Sequence, residues 1–318
     1  MTARTARQLA VIVVGITAML AVMLLAFVTP SVNSGAHDLP LAVSGPEAAV
    51  SQLRAGLDEA RPGAFDVTVY DSADQAREAI LDREAIGGLT VGDDGLTVLT
   101  ASAAGTPYPS LLQGVGAALA ASGQQVGYDE VAPLSADDPT GAGLGALGLP
   151  MVFGGMATAV LLSTRFKGSP APRVVGAVSI AVLGGFLVTA ILQFGFGTLD
   201  GNYGLTALSL VLGIAAMALF VLGMESILGF AGLGVAGLTM LLVANPLSGL
   251  ATGPQWLPHP WGAVGQLLPV GAAGTAIRSM AFFDGGGATP ALLVLGAWIV
   301  VGLVLCFVPK PWRALPGS

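Results

Sequence analysis

Six stretches of this chain carry no charged side chain: Gln8–Ser34, Pro139–Thr164, Val174–Leu199, Gly201–Met224, Ser226–Ile277 and Gly285–Pro309. Each is long enough for the roughly 20 residues that cross the hydrocarbon core of a bilayer. Only 10% of the chain is charged, against about 25% in an ordinary soluble domain. These patterns exclude a single soluble globule, a disordered chain and a fibre. The expected fold is a polytopic α-helical membrane protein. Its six transmembrane helices fall at about 9–29, 147–164, 174–196, 205–224, 227–245 and 289–308.

The charges that do occur are segregated. Sixteen of the nineteen acids, but only four of the twelve bases, lie in residues 31–146. That segment reads as a water-facing acidic domain, and no nucleic-acid partner is expected. Bases flank the apolar runs instead: Arg4 and Arg7, then Arg165, Lys167 and Arg173, then Lys310 and Arg313. By the positive-inside rule the N-terminus, the Thr164–Arg173 loop and the C-terminus are cytoplasmic, which puts 31–146 outside. The first run, Leu9–Val28, exceeds the roughly 7–15 apolar residues of a signal peptide. It reads as an uncleaved anchor, with cleavage near Ser34-Gly35-Ala36 as the alternative. The expected domains are an anchor at 1–30, an inserted extracytoplasmic α/β domain at 31–146 and a five-helix bundle at 147–318.

Within the exterior segment, Leu39, Leu41 and Val43 alternate, as do Phe65, Val67 and Val69, which predicts half-buried strands. Val50, Leu53, Leu57 and Ala60 recur at helical spacing after Pro46. Ser72 with Gln75 forms a capping box. Asp93-Asp94-Gly95 between Leu89–Val91 and Leu96–Leu99 signals a hairpin. A third helix over Ser110–Ala121 precedes a strand at Val126–Val131. The predicted order is β-α-β-α-β-β-α-β. The carboxylate pairs Asp58-Glu59, Asp93-Asp94, Asp129-Glu130 and Asp137-Asp138 lack the spaced oxygens of a calcium loop and read as solvated faces and turns.

In the bundle, Glu225 and Ser226 mark a tight cytoplasmic turn, with Glu225 at the interface near the positive end of the next helix. Gly229, Gly232, Gly234 and Gly237 suit close packing of the fifth span. Cys306, the one cysteine, reads as a small hydrophobe. Residues 245–290 are too apolar for an exterior loop, yet Pro246, Pro254, Pro258, Pro260 and Pro269 forbid a continuous helix. Two re-entrant half-helices are expected within 254–285, roughly Pro260–Leu267 and Gly271–Met280, broken at Pro269 and Gly271. Trp256, Trp261, Phe282 and Phe283 would sit at the membrane surface. Arg278 would pair with Asp284 or a lipid phosphate, or snorkel to the interface. No nucleotide-binding loop, zinc-protease or serine-hydrolase motif occurs. No catalytic residue, metal site or cofactor is expected.

The order of parts resembles the ABC-2 type permease superfamily, and within it the YhgE/Pip-like membrane proteins of Gram-positive bacteria. The residues carrying the resemblance are His37-Asp38-Leu39-Pro40-Leu41-Ala42-Val43, Val131-Ala132-Pro133-Leu134 and Asp137-Asp138-Pro139-Thr140-Gly141. Gly154-Gly155 and Leu267-Leu268-Pro269-Val270-Gly271-Ala272, with Arg278 and Phe283, complete it. The resemblance implies a bacterial plasma-membrane protein exporting a substrate as a homodimer or beside a partner permease, served by a separate ATPase subunit. Pro269, Gly271 and Arg278 would then belong to an outer gate. Arg165, Phe166 and Lys167, with Trp312–Arg313, would couple to the ATPase, although Pro170 and Pro172 leave that loop little to grip. The alternative is a non-transporting receptor or accessory subunit of a secretion or envelope system, whose exterior domain binds a partner.

Overall fold

The structure is a computed structural model that describes residues 2–93 and 95–308. Asp94 of the expected hairpin, Lys310 of the bases flanking the last span, and Trp312 and Arg313 of the expected coupling surface lie outside the described residues. Helix α1 (Ala3–Asn33) is followed by β1 (Leu39–Ser44), α2 (Glu47–Ala60), β2 (Phe65–Tyr70), α3 (Ala73–Leu81), β3 (Gly88–Gly92), β4 (Gly95–Thr100), α4 (Pro107–Ala121) and β5 (Val126–Glu130). The remainder is helical: α5 (Ala142–Ala146), α6 (Gly148–Arg165), α7 (Ala171–Ala190), α8 (Tyr203–Leu228), α9 (Phe230–Thr239), α10 (Trp261–Gln266), α11 (Pro269–Phe282) and α12 (Ala288–Phe307).

The five strands form one mixed sheet in the order β2-β1-β3-β4-β5, parallel except for the β3–β4 hairpin. Helix α3 starts where the capping box predicts. Ser72 Oγ accepts from Gln75 N–H at 3.2 Å, and the Gln75 carboxamide accepts from Asp71 N–H at 3.1 Å. The interior strand β1 departs from the half-buried reading: Leu39, Leu41, Ala42 and Val43 are all buried. Flanked by β2 and β3, it is covered on both faces. The edge strand β2 instead has no buried residue, and its Val69 is exposed. The domain's core is completed from far along the chain, by Phe283 fully and by Trp256 and Phe282 in part.

Five helices are long and apolar enough to cross a membrane: α1, α5–α6, α7 with its terminal π-turn, α8 and α12. The fifth expected span does not reach that length. Helix α9 and the π-turn Met240–Ala244 make one apolar helix over Phe230–Ala244, about 22 Å at 1.5 Å per residue against a hydrocarbon core of about 30 Å. The reason lies at the turn before it. Helix α8 absorbs Glu225–Leu228 and stops only at Gly229, where φ is +63°, a conformation glycine adopts without a Cβ clash. The expected Glu225–Ser226 turn is therefore inside α8.

Helix α8 is the axis of the bundle. In its most apolar 18-residue window 78% of residues are buried, against 22% for α7 and α12. Glycines on its neighbours let their backbones close on it. A Cβ on Gly155 of α6, Gly185 of α7 or Gly302 of α12 would come within 3 Å of Met217, Val211 or Leu219. Helix α1 stands apart, with Pro30 its one buried residue.

Candidate functional site

The half-helices exist with shifted bounds. Helices α10 and α11 break at Leu267-Leu268, and Pro269 is the first residue of α11, where its missing N–H costs nothing. Gly271 does not turn the chain. It lies in the first turn of α11, and a Cβ there would be 2.3 Å from the Gly265 carbonyl oxygen. Its role is close approach of the two helices. Along most of its length α11 is buried, from Pro269 through Ala281, packed against α8 and α12.

Helix α11 also carries the α/β domain. Arg83 follows α3 with φ +62°. Its guanidinium donates to the Thr275 carbonyl at 3.0 Å and the Ser279 hydroxyl at 2.8 Å, and lies 5.4 Å from the Phe283 ring centroid. Beside it, the Tyr108 hydroxyl donates to the Gln255 carboxamide oxygen at 3.3 Å, and its ring meets Trp256 edge-on at 6.0 Å. Burial, then the charge of Arg278, pushes Arg83 down to about 9. Burial pushes the Tyr108 phenol up. Phe283 lies in the core of the α/β domain and Trp256 packs against it. Trp261 is half exposed.

Arg278 neither pairs with Asp284 nor snorkels. It is 3% exposed, its Nη2 donates to the Leu250 carbonyl at 2.6 Å, and its Nε has no partner among the described residues. A guanidinium left this way costs several kcal/mol. Its position is therefore a constraint that packing alone would remove. Arg83 and Tyr108 were missed in the sequence, where one reads as a base in an acidic domain and the other as a helix-start aromatic.

At the other end of the bundle, Arg173 in the first turn of α7 pairs with Glu225 in the last turn of α8 at 2.8 Å, both side chains largely buried. Each charge sits at the helix end where the macrodipole opposes it, so the pair is held by mutual attraction. Glu225 is not favoured by the start of α9, as the sequence suggested. Arg165, Phe166 and Lys167 are exposed around the α6–α7 loop. Among the four glycines assigned to packing, Gly232 closes on the Met224 carbonyl and Gly237 on Met156, while Gly234 faces open space and Gly229 makes the turn.

Three of the acids expected to be merely solvated have partners. Asp129 pairs with Arg77, and Glu130 accepts from Thr100 Oγ1 and Ser102 N–H. Asp138 accepts from Ala142 N–H at 2.9 Å and Gly143 N–H at 2.8 Å at the start of α5. Burial opposes its charge, but those N–H groups win and hold its carboxyl below its ordinary value. No family model, no curated protein and no solved structure matches this chain.

Proposed function

We propose that this chain is a multi-pass membrane protein of ABC-2 permease-like design, with residues 31–146 outside and the α6–α7 loop in the cytoplasm, exporting a substrate through a path formed with a second copy or partner. The observation that supports this reading is α11. One side of it packs on the axial helix α8, and from the other it accepts Arg83 of the exterior domain. A passive anchor needs only a tether. A buried, charge-bearing strut is suited to carrying movement between bundle and domain. Apolar side chains of α8, Leu210 and Met217 among them, fill the axis of the single bundle, so the path would lie between copies. The receptor reading draws support from the exposed edge strand β2, which offers unpaired backbone groups to an extended partner.

Two measurements test this. With Cys306→Ser as background, Thr68→Cys should react with an impermeant thiol reagent on intact cells, and Ser169→Cys only after lysis. Labelling of Ser169→Cys from outside would refute the orientation. Mild detergent extraction should yield a complex of two permease chains with a nucleotide hydrolase, and the hydrolase should be lost on Arg165→Glu with Lys167→Glu at unchanged topology. A single chain extracted without a hydrolase would rule out powered export.

A further inference from the structure

The loop Ser248–Thr252, which faces α1, has an uneven hydrogen-bond account. Its carbonyls are occupied from behind. Gln266 Nε2 donates to Ser248 O at 3.1 Å, Arg278 Nη2 to Leu250 O at 2.6 Å, and Thr106 Oγ1 to Ala251 O at 3.3 Å. In a trans peptide the N–H points opposite to the carbonyl of the preceding residue. The peptide N–H groups of Gly249, Ala251 and Thr252 are therefore turned away from α10, α11 and the exterior domain. None of the three has an acceptor among the described residues. Gly249 has φ +64°, the left-handed step that gathers successive N–H groups into an anion-binding concavity.

These residues line a cavity of about 330 Å³, closed on the other side by Phe27, Pro30, Ser31 and Ser34 of α1. That volume is at the lower end of the roughly 300–1,000 Å³ that small-ligand pockets occupy. The hydroxyls in its wall spend their hydrogens elsewhere: Ser31 on Phe27 O, Ser34 on Pro30 O, Ser248 on Asn245 O and Thr252 on Gly253 O. The donors left without an acceptor among the described residues are the three backbone N–H groups, the Asn245 amide NH2 and the Trp256 indole N–H, while the hydroxyl oxygens keep only acceptor capacity. No acid lines the cavity, and the buried charge of Arg278 stands directly behind its Leu250 wall. Against the next face of α1, sharing Pro30, lies an apolar slot of about 430 Å³ walled by Leu25, Ala26, Leu242, Val243, Leu247 and Trp261.

We propose that the Ser248–Thr252 loop and the end of α1 bind the phosphate of a phospholipid headgroup, with an acyl chain following the apolar slot past Pro30. Unpaired backbone N–H groups, a buried positive charge behind the wall and no acid in it favour an anion. The adjoining apolar slot selects an anion with a tail. The inference rests on the part of the proposed function that places α1 in a bilayer, and not on export.

The test uses the full chain in detergent, titrated with phosphatidylglycerol, with dioleoylglycerol and with inorganic phosphate, while bound lipid is counted by native mass spectrometry. Phosphatidylglycerol should bind at least tenfold more tightly than dioleoylglycerol, and inorganic phosphate should compete only weakly. Ser31→Trp, which fills the cavity from the exposed surface of α1, should cut phosphatidylglycerol binding about tenfold with an unchanged lipid-free melting temperature. Arg278→Gln should weaken it further where that variant folds. Equal binding of dioleoylglycerol, or binding untouched by Ser31→Trp, would overturn the site. Inorganic phosphate binding as tightly as phosphatidylglycerol would overturn the lipid assignment. Each of these outcomes is independent of orientation, copy number and any hydrolase.

Discussion

The Arg83 guanidinium meets the Ser279 hydroxyl at 2.8 Å, joining a turn of the α/β domain to a helix buried in the bundle, 196 positions away in the chain. This contact, with Phe283 in the domain's core, makes the two parts one packed body. Hydrogen bonds from a charged donor contribute about 1.5–3 kcal/mol each. Arg83→Ala should therefore release the α/β domain, so that in hydrogen exchange residues 39–130 lose protection by about that amount while α8 keeps its own. Arg54→Ala, which removes an exposed bond to the Val67 carbonyl, should change protection by less than about 0.5 kcal/mol. Equal effects of the two would show that Arg83 is not a strut.

The Arg173–Glu225 pair gives a prediction of opposite sign for single and double changes. Glu225→Gln strands a largely buried arginine and should cost about 3 kcal/mol. Exchanging the two, Arg173→Glu with Glu225→Arg, restores the pair and places each charge at the helix end that favours it. The exchanged protein should melt at or above the wild-type temperature in detergent. A melting temperature as low as that of Glu225→Gln would mean that the surroundings, not the pair, set the stability here.

Gly271 and Gly234 form a matched comparison. A Cβ on Gly271 would lie 2.3 Å from the Gly265 carbonyl oxygen, whereas one on Gly234 meets nothing within 4 Å. Gly271→Ala should part α10 from α11 and destabilise the protein by about 1–3 kcal/mol. Gly234→Ala should stabilise α9 by up to about 1 kcal/mol from helix propensity. Thermal unfolding in one detergent decides both, and the prediction fails if the two shifts have the same sign.

Asp138 ties the start of α5 to pH. Its carboxyl titrates below its ordinary value in the folded protein, so on acidification the unfolded chain takes up the proton first, near pH 4. The stabilisation is complete above that pH and is lost as pH falls through the native value. Asp138→Ala should cost about 1 kcal/mol at pH 7, as loss of a helix cap does. The gap between variant and wild-type melting temperatures should close as the pH falls below about 4 and through the lowered native value. A gap that persists in acid would mean that the negative charge is not what caps the helix.

What was legible in the sequence was whatever depends on local pattern. Charge-free runs mark apolar helices because length and composition alone set their suitability for a bilayer. The element order of the α/β domain follows from period-two alternation, a capping box at Ser72 and a two-residue hairpin, each a contact between near neighbours in the chain. Even the break between α10 and α11 is written in Pro269. Tertiary structure decided the rest, because those facts depend on residues far apart in sequence. Arg278 looks like an interface arginine until α11 is seen packed on α8, with the Leu250 carbonyl as its partner. Glu225 looks like a turn residue until Gly229 is seen to hold the left-handed position that ends α8. The free N–H groups of Gly249, Ala251 and Thr252 exist because Gln266, Arg278 and Thr106, from three different elements, hold the carbonyls behind them. Hydrophobic periodicity sets which face of an element is buried. It does not set what that face is buried against, and at the junction of domain and bundle that choice is made by long-range packing.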